Sequence, residues 1–484
     1  MTSRIHAKRK STMMSPNKHT AKRRRLEFPL HALPEDIICN IVSRLTLKDA
    51  VRTSLVSSSW RQLWTSYPNL CFDSPTMLNR KIGSGSKRRR HRFIRRVNAF
   101  LESHAGIGLR TFKVAFALDN KHAKYLDKWF SFALGSKATE ITLNMLPEID
   151  RGSTQSWKGA YTLPFHMFDR QSASRIESFQ LVFMSLKLPH DFYGFNSLRV
   201  LDLQRVHISG DLGLLLSKCN ALESLSLYRC YPLLNLKVQQ PLHQLRYLSF
   251  RECFEESLEF DAANLAKFEY SGRAPMIITL GEPINLKEAT ITLLEYDDTL
   301  EQVFAELPKS MSSVETLFVN THLKTQVVGF SKQPMKFNHL VKLEMTVNIL
   351  GNAEFKNGIL RLAYLLEVAP LLQRLELNMI PHHSAGGYHD DSEAYWHIQP
   401  CTHSHLERVD ISGFFGLRGQ LELVWYILDN ALTLRSMSID PRVRAYHRTI
   451  GYFEGLDLDI KNGRKCAFKF ISQYDYPNVQ IEIF

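Results

Sequence analysis

Leu198-Arg-Val-Leu201-Asp-Leu203, Leu222-Glu-Ser-Leu225-Ser-Leu227 and Leu245-Arg-Tyr-Leu248-Ser-Phe250 are three copies of one pattern, apolar-x-x-apolar-x-apolar. Further copies begin at 109, 138, 176, 265, 286, 314, 340, 372, 406 and 434. Successive starts from 176 to 286 differ by 22, 24, 23, 20 and 21 residues, and later gaps widen to 28, 26, 32, 34 and 28. Period-2 alternation within each copy is that of a strand with one apolar face. Units this short cannot bury their own apolar edges, so they must stack. The pattern therefore predicts an α/β (α+β) solenoid whose strands run parallel, one per unit.

Period and pattern resemble leucine-rich repeats, in which a strand alternates with a variable return segment. Cys230 and Cys253 each fall three residues past the last apolar strand position, where the repeat consensus carries Asn or Cys. They read as core-ladder residues. The intervening strand residues then face the concave side: Val200, Asp202, Gln204; Ser224, Ser226, Tyr228; Tyr247, Ser249, Arg251; and Lys267, Glu269, Ser271. With parallel strands about 4.8 Å apart, Tyr228, Tyr247 and Arg251 are expected to come together. Tyr and Arg are the residue types that most often anchor interfaces, so this trio is the candidate target-binding spot.

Upstream, residues 33–64 (LPEDIICNIVSRLTLKDAVRTSLVSSSWRQLW) change character. Pro34 and the acids Glu35 and Asp36 suit a helix start, and Ile37, Ile38, Ile41, Val42 and Leu45 follow at helical spacing. A unit of roughly 35 residues cannot bury all its large apolar side chains against one another. It must dock on the rest of the chain or present a face to a partner. In order and spacing, Leu33-Pro34, Ile41, Arg44-Leu45, Leu47-Lys48-Asp49, Leu55-Val56-Ser57 and Trp60-Arg61 resemble an F-box. That resemblance implies a short all-α module binding a Skp-type adaptor, with Leu33, Pro34, Ile38, Ile41, Leu45, Val56 and Trp60 as the adaptor-facing and supporting set.

Residues 403–442 read as strand, turn, amphipathic helix and strand. His405-Leu406, Val409, Ile411, Gly413-Phe414, Glu422, Leu428, Asn430-Ala431, Leu434 and Ile439 resemble the FBD region of plant F-box proteins. The expected organisation is a basic tail (1–28), an F-box (29–75), a basic linker (76–100), repeats forming a horseshoe (101–380), and FBD-like repeats with a cap (381–484).

Charge is unevenly placed. The 484 residues hold 61 Lys/Arg and 48 Asp/Glu. Nine Lys/Arg lie in 1–26 and nine in 80–96, neither segment with an acid, which leaves the remainder at 43 against 48. A fold with net −5 lacks a groove-long nucleic-acid footprint, so no specific nucleic acid is expected. Lys8, Arg9 and Lys10, followed after a spacer by Lys22, Arg23, Arg24 and Arg25, have the layout of a two-part nuclear-import signal, pointing to the nucleus and, secondarily, the cytoplasm. The 80–96 stretch reads as an exposed loop entering a helix, its basic residues either a second import signal or a solvated face. Seven scattered cysteines suit a reducing compartment, and no secretory signal or membrane-spanning run is visible.

His382, His383, His389, Asp390, Asp391, His397, Cys401, His403 and His405 are the only metal-like density, at irregular spacings across the widest repeat gap. An inserted loop explains them, and no metal or cofactor is expected. No catalytic fingerprint is present. Taken together, the resemblances imply a non-catalytic, substrate-recognising subunit of an SCF-type cullin–RING ubiquitin ligase, its partners a Skp-type adaptor, cullin through it, and a protein target, with no membrane. A nuclear scaffold outside the ligase and a small-molecule-sensing receptor are the alternatives.

Overall fold

The computed structural model describes residues 37, 40–41, 44–45, 47–53, 64–78, 86–147, 157–233, 235–253, 256–273, 277–281, 284–327, 329–331, 334–351, 358–381, 401–443, 457–472 and 476–484. Among these, a sixteen-stranded sheet carries fifteen strands in chain order from Asn69–Asp73 to Gln480–Ile483, and the short strand Thr162–Leu163, paired to Ser178–Lys187, is its sixteenth. All its pairings are parallel and in register, for example Leu201↔Leu225 and Leu225↔Leu248. Register follows from side-chain alternation, since a one-residue slip would turn every leucine to solvent. The inward residues, such as Leu225 and Leu227, are fully buried.

Repeat length decides what covers the convex side. Units of 20–23 residues leave room only for short strands, and Asn235–Lys237, Ser257–Glu259 and Ile277–Thr279 form a second, three-stranded parallel sheet there. Longer units hold helices, such as Ala123–Gly135 and Arg418–Asn430. Between them Phe168 packs edge-to-face on Phe179 and Phe195 at centroid distances of 6.0 and 5.1 Å.

The array begins earlier than the sequence reading placed it. Asn69–Asp73 is its first strand, and the expected linker contains the helix Ser86–Ser103. Phe93, Ile94, Val97 and Leu101 of that helix are buried, and the Phe93 ring stacks on Phe116 at 4.1 Å. The stretch is a convex element of the first repeat, hidden in the sequence by the arginines around its apolar stripe. At the other end, the FBD-like segment supplies strands Arg408–Ser412 and Ser436–Asp440, and Gln480–Ile483 closes the sheet.

Both sheet edges are covered or short, as a stable open array needs. At the N-terminal edge Leu47 and Ala50 are buried, and the Tyr67 hydroxyl donates to the Leu45 carbonyl at 2.6 Å. The F-box segment thus docks on the first strand.

Candidate functional site

Four consecutive repeats share one backbone device. Phe183, Arg205, Arg229 and Glu252 all adopt left-handed conformations (φ 57°, 51°, 51° and 53°), each just after the aligned positions Val182, Gln204, Tyr228 and Arg251. This conformation is uncommon outside glycine. The kink turns the next residue back into the core: Met184, Val206, Cys230 and Cys253 are all buried. Cys230 Sγ donates to the Leu203 carbonyl at 3.2 Å, which gives the ladder role read from its position a concrete contact.

On the concave side the kinks frame three ranks of side chains. In the upper rank the Arg251 guanidinium lies 5.5 Å above the Tyr228 ring, and Arg229 sits 5.2 Å from the same ring. Arg229 is held by Glu252 at 2.7 Å. Arg251 is exposed, with no hydrogen-bond or ion-pair partner among the described residues. The middle rank is Asp202, Ser226, Ser249 and Glu269. Asp202 Oδ2 accepts from Gln204 at 2.9 Å, while Oδ1 is buried without a partner. Burial pushes this carboxyl up in pKa, opposed by the Gln204 hydrogen bond and the Arg251 charge.

Tyr247 stands in the lower rank, aligned with Ser224, and its hydroxyl donates to Glu269 at 2.8 Å. Burial raises its phenol pKa; the Ser249 hydrogen bond opposes this and Glu269 adds to it. Of the expected trio, then, Tyr228 and Arg251 are stacked and Tyr247 is not part of the stack. Tyr247 and Arg251 stand four positions apart on one strand, about 13 Å along the backbone, though the Arg251 charge still reaches the Tyr247 phenol and acts to lower its pKa. Strand spacing brings the three side chains onto neighbouring strands, and the rank difference, Tyr247 level with Ser224 and Arg251 level with Tyr228, sets Tyr247 apart. Asp202 and Arg229, absent from the expected trio, join the site; Asp202 occupies a position already assigned to the concave face.

The F-box end offers a second surface. Ile37 and Ile41, one helical turn apart, are 44% and 39% exposed, whereas Leu45 is half-buried against the array core. This separates the expected set: Ile41 faces outward and Leu45 supports docking. Ile37 joins Ile41, and the i, i+4 spacing was the signal for it. Leu33, Pro34, Ile38, Val56 and Trp60 lie outside the described residues, as do the basic residues from Lys8 to Arg25.

His403 is buried, its Nε2 2.9 Å from the Ala369 carbonyl and its Nδ1 accepting from the Leu406 N–H at 3.0 Å. Burial lowers its pKa. The imidazole ties this repeat to the preceding one. Cys401 and His405 are also described; the other members of that cluster lie outside the described residues. Among the described residues no three His, Cys, Asp or Glu side chains are grouped to hold a metal.

An α-helical head docked on a parallel repeat array, with separate exposed surfaces on each, defines an F-box/leucine-rich-repeat protein. The F-box domain model matches residues 30–72, and the At1g61320/AtMIF1 leucine-rich-repeat domain model matches residues 100–468. The chain belongs to that leucine-rich-repeat family and carries the F-box at its head. It is 22% identical over 420 residues to the Arabidopsis thaliana F-box/FBD/LRR-repeat protein At1g13570, covering 84% of this chain and 89% of the relative. It is 24% identical over 467 residues to the putative F-box/FBD/LRR-repeat protein At5g62970 of the same plant, covering 90% and 95%. F-box/LRR-repeat protein 13, also from Arabidopsis thaliana, is 26% identical over 272 residues, 54% of this chain and 56% of that one. These relatives support the FBD-like reading of the C-terminal region.

Proposed function

We propose that this chain is the substrate-recognition subunit of an SCF-type cullin–RING ubiquitin ligase. The observation that carries the reading is the F-box segment docked by Leu47 and Ala50 while Ile37 and Ile41 remain exposed. One side of the module is occupied by the chain itself, and the other is an apolar surface for a Skp-type adaptor. The chain supplies position rather than chemistry: holding a target beside the ligase raises the local concentration of its lysines. Cullin, and the enzymes that transfer ubiquitin, come through the adaptor.

The test is direct binding of the purified chain to a Skp-type adaptor by calorimetry. Ile41→Asp buries a charge in the proposed interface and should weaken binding at least about tenfold, or about 1.4 kcal/mol. Leu33→Ala/Pro34→Ala should weaken it to a similar degree. The melting temperature of the array should stay within about a degree for Ile41→Asp, because this exposed residue lies outside the repeat core. Undiminished adaptor binding by both variants would sink the ligase reading.

The target is assigned to the concave face around Tyr228 and Arg251. A guanidinium on an aromatic cushion, with no hydrogen-bond or ion-pair partner of its own among the described residues, is a pre-organised anchor. Against a target identified by proximity labelling, Tyr228→Ala/Arg251→Ala should reduce affinity at least about tenfold. Tyr247→Ala, whose hydroxyl is already committed to Glu269, should reduce it less. Equal affinity for the double variant and the parent would move the target site elsewhere.

Nuclear accumulation is the companion proposal. Residues 1–30 fused to a reporter should concentrate in the nucleus, and Arg23→Ala/Arg24→Ala/Arg25→Ala should return the fusion to an even distribution. A fusion that stays even from the start would discard these residues as an import signal.

A further inference from the structure

The helix Ser86–Ser103 carries Lys87, Arg88, Arg89, Arg90, Arg92, Arg95 and Arg96, and the structure divides them into two groups. Arg89 reaches the Ser74 hydroxyl at 3.0 Å, Arg90 the Ala117 carbonyl at 3.0 Å, and Arg96 the Met77 carbonyl. These three hold the helix on the array. At 100° per residue the buried stripe, centred on Phe93, Ile94, Val97 and Leu101, lies opposite a stripe running Arg88, Arg92, Arg95, Ala99 and Glu102.

Arg88, Arg92 and Arg95 have no hydrogen bond or ion pair among the described residues. Several other exposed cations are matched by carboxylates of neighbouring repeats: Arg110 with Glu140, Arg199 with Glu223, Lys237 with Glu259, Lys287 with Glu315, Arg435 with Glu407. The acid that ends the stripe, Glu102, is paired with Lys128 of the adjoining helix Ala123–Gly135 at 3.4 Å. The solvent side of this helix therefore presents Arg88 and Arg95 exposed and Arg92 half-buried, none of them paired to a carboxylate among the described residues.

We propose that this face binds the phosphate backbone of nucleic acid without reading its sequence. Three arguments favour that occupant. Guanidinium forks suit phosphate oxygens, and three of them spaced over about 10 Å of helix axis span about six charges of a duplex. No large apolar residue of this helix is exposed, so the face lacks both the anchor of a protein interface and the inserting side chains of a membrane-surface helix. Finally, the apolar side is already spent on the array, which leaves the arginine stripe rigidly presented. The footprint is short, so binding is modest and steeply salt-dependent. It leaves the concave site free to hold a target at the same time.

The experiment is fluorescence anisotropy of a short labelled DNA duplex of mixed sequence with the full chain, between about 50 and 200 mM salt. Arg88→Gln/Arg92→Gln/Arg95→Gln should lower affinity at least about tenfold at the low-salt end and reduce the log–log salt slope by about 2–3. A second sequence of equal length should bind equally. A melting temperature close to the parent's checks that the variant folds, since Arg88 and Arg95 are exposed and the half-buried Arg92 makes no side-chain hydrogen bond or ion pair among the described residues. Arg23→Gln/Arg24→Gln/Arg25→Gln controls for the N-terminal basic cluster. The proposal is overturned if the parent does not bind the duplex, or if only the N-terminal variant loses binding. It is equally overturned if the helix variant loses binding to polyglutamate or anionic vesicles but keeps it for the duplex.

Discussion

Replacing Arg361 by alanine is expected to remove about 3–5 kcal/mol of stability, more than half of what a marginal array possesses. Arg361 is 2% exposed, in the turn Gly358–Tyr364. Its Nη1 donates to Asp298 Oδ1 at 3.1 Å, its Nη2 to Oδ2, and further donors reach the Gly358 and Lys324 carbonyls at 3.3 Å. Asp298 Oδ2 also accepts from the Lys324 N–H at 2.8 Å. One guanidinium thus stitches segments of three successive repeats, with the Phe330 ring 5.5 Å away. Truncation strands a nearly buried carboxylate and takes one donor from each of two carbonyls, of which that of Lys324 keeps the Val327 N–H at 3.2 Å, which is why the cost exceeds the worth of the pair itself.

Urea unfolding followed by tryptophan fluorescence and by circular dichroism checks the size of the loss. Asp298→Leu/Arg361→Met, which removes both charges, should recover much of it, because desolvation is then no longer incurred. A loss below about 1 kcal/mol for Arg361→Ala would mean that water reaches the pair and screens it.

That pair also marks where the sequence stops being readable. The repeats could be found because their signal is local and periodic: each apolar-x-x-apolar-x-apolar copy corresponds to one strand, and the copies from 109 to 434 all lie in the one sheet. Asp298 and Arg361 stand 63 residues apart with nothing periodic linking them. Tyr67-x-x-Leu70-x-Phe72 fits the same phase, yet it is followed by a strongly basic stretch whose charge masked the packing of its helix on the array. The last strand, Gln480–Ile483, lacks leucine and has only half-buried apolar positions. In the candidate target site, both chemistry and rank were legible: the aligned repeats set Tyr247 level with Ser224 and Arg251 level with Tyr228, as the pairing shows, whereas the stacking of Arg251 on Tyr228 is seen only in the folded side chains. The F-box shows the converse limit: its pattern is recognisable residue by residue, while the division between Ile41 and Leu45 depends on a strand that it meets only after folding.

Gly413→Ala is expected to cost about 2–5 kcal/mol, from two separable causes. Gly413 has φ +70°, a left-handed conformation that an alanine occupies at about 1–2 kcal/mol. A Cβ there would also lie 1.9 Å from the Met379 carbonyl oxygen of the neighbouring strand Arg374–Pro381. That is backbone, which cannot rotate away, so the strand or the turn must shift. The turn has little freedom to do so. Gly413 N–H donates to the Arg442 carbonyl at 2.9 Å, and its own carbonyl accepts from the Gln420 amide at 2.9 Å. Gln420 is fully buried and its oxygen accepts from the Phe415 N–H at 2.9 Å, so moving Gly413 disturbs the start of the helix Arg418–Asn430. Gly108→Ala isolates the first cause. Gly108 has nearly the same φ, +69°, with nothing within 4 Å of where its Cβ would be. It should therefore lose only about 1–2 kcal/mol. Unfolding free energies of the two variants measure the difference, and hydrogen exchange over 403–442 should rise for Gly413→Ala alone. If the two losses are equal, the close approach to Met379 contributes nothing, and the FBD-like turn needs its glycine for conformation only.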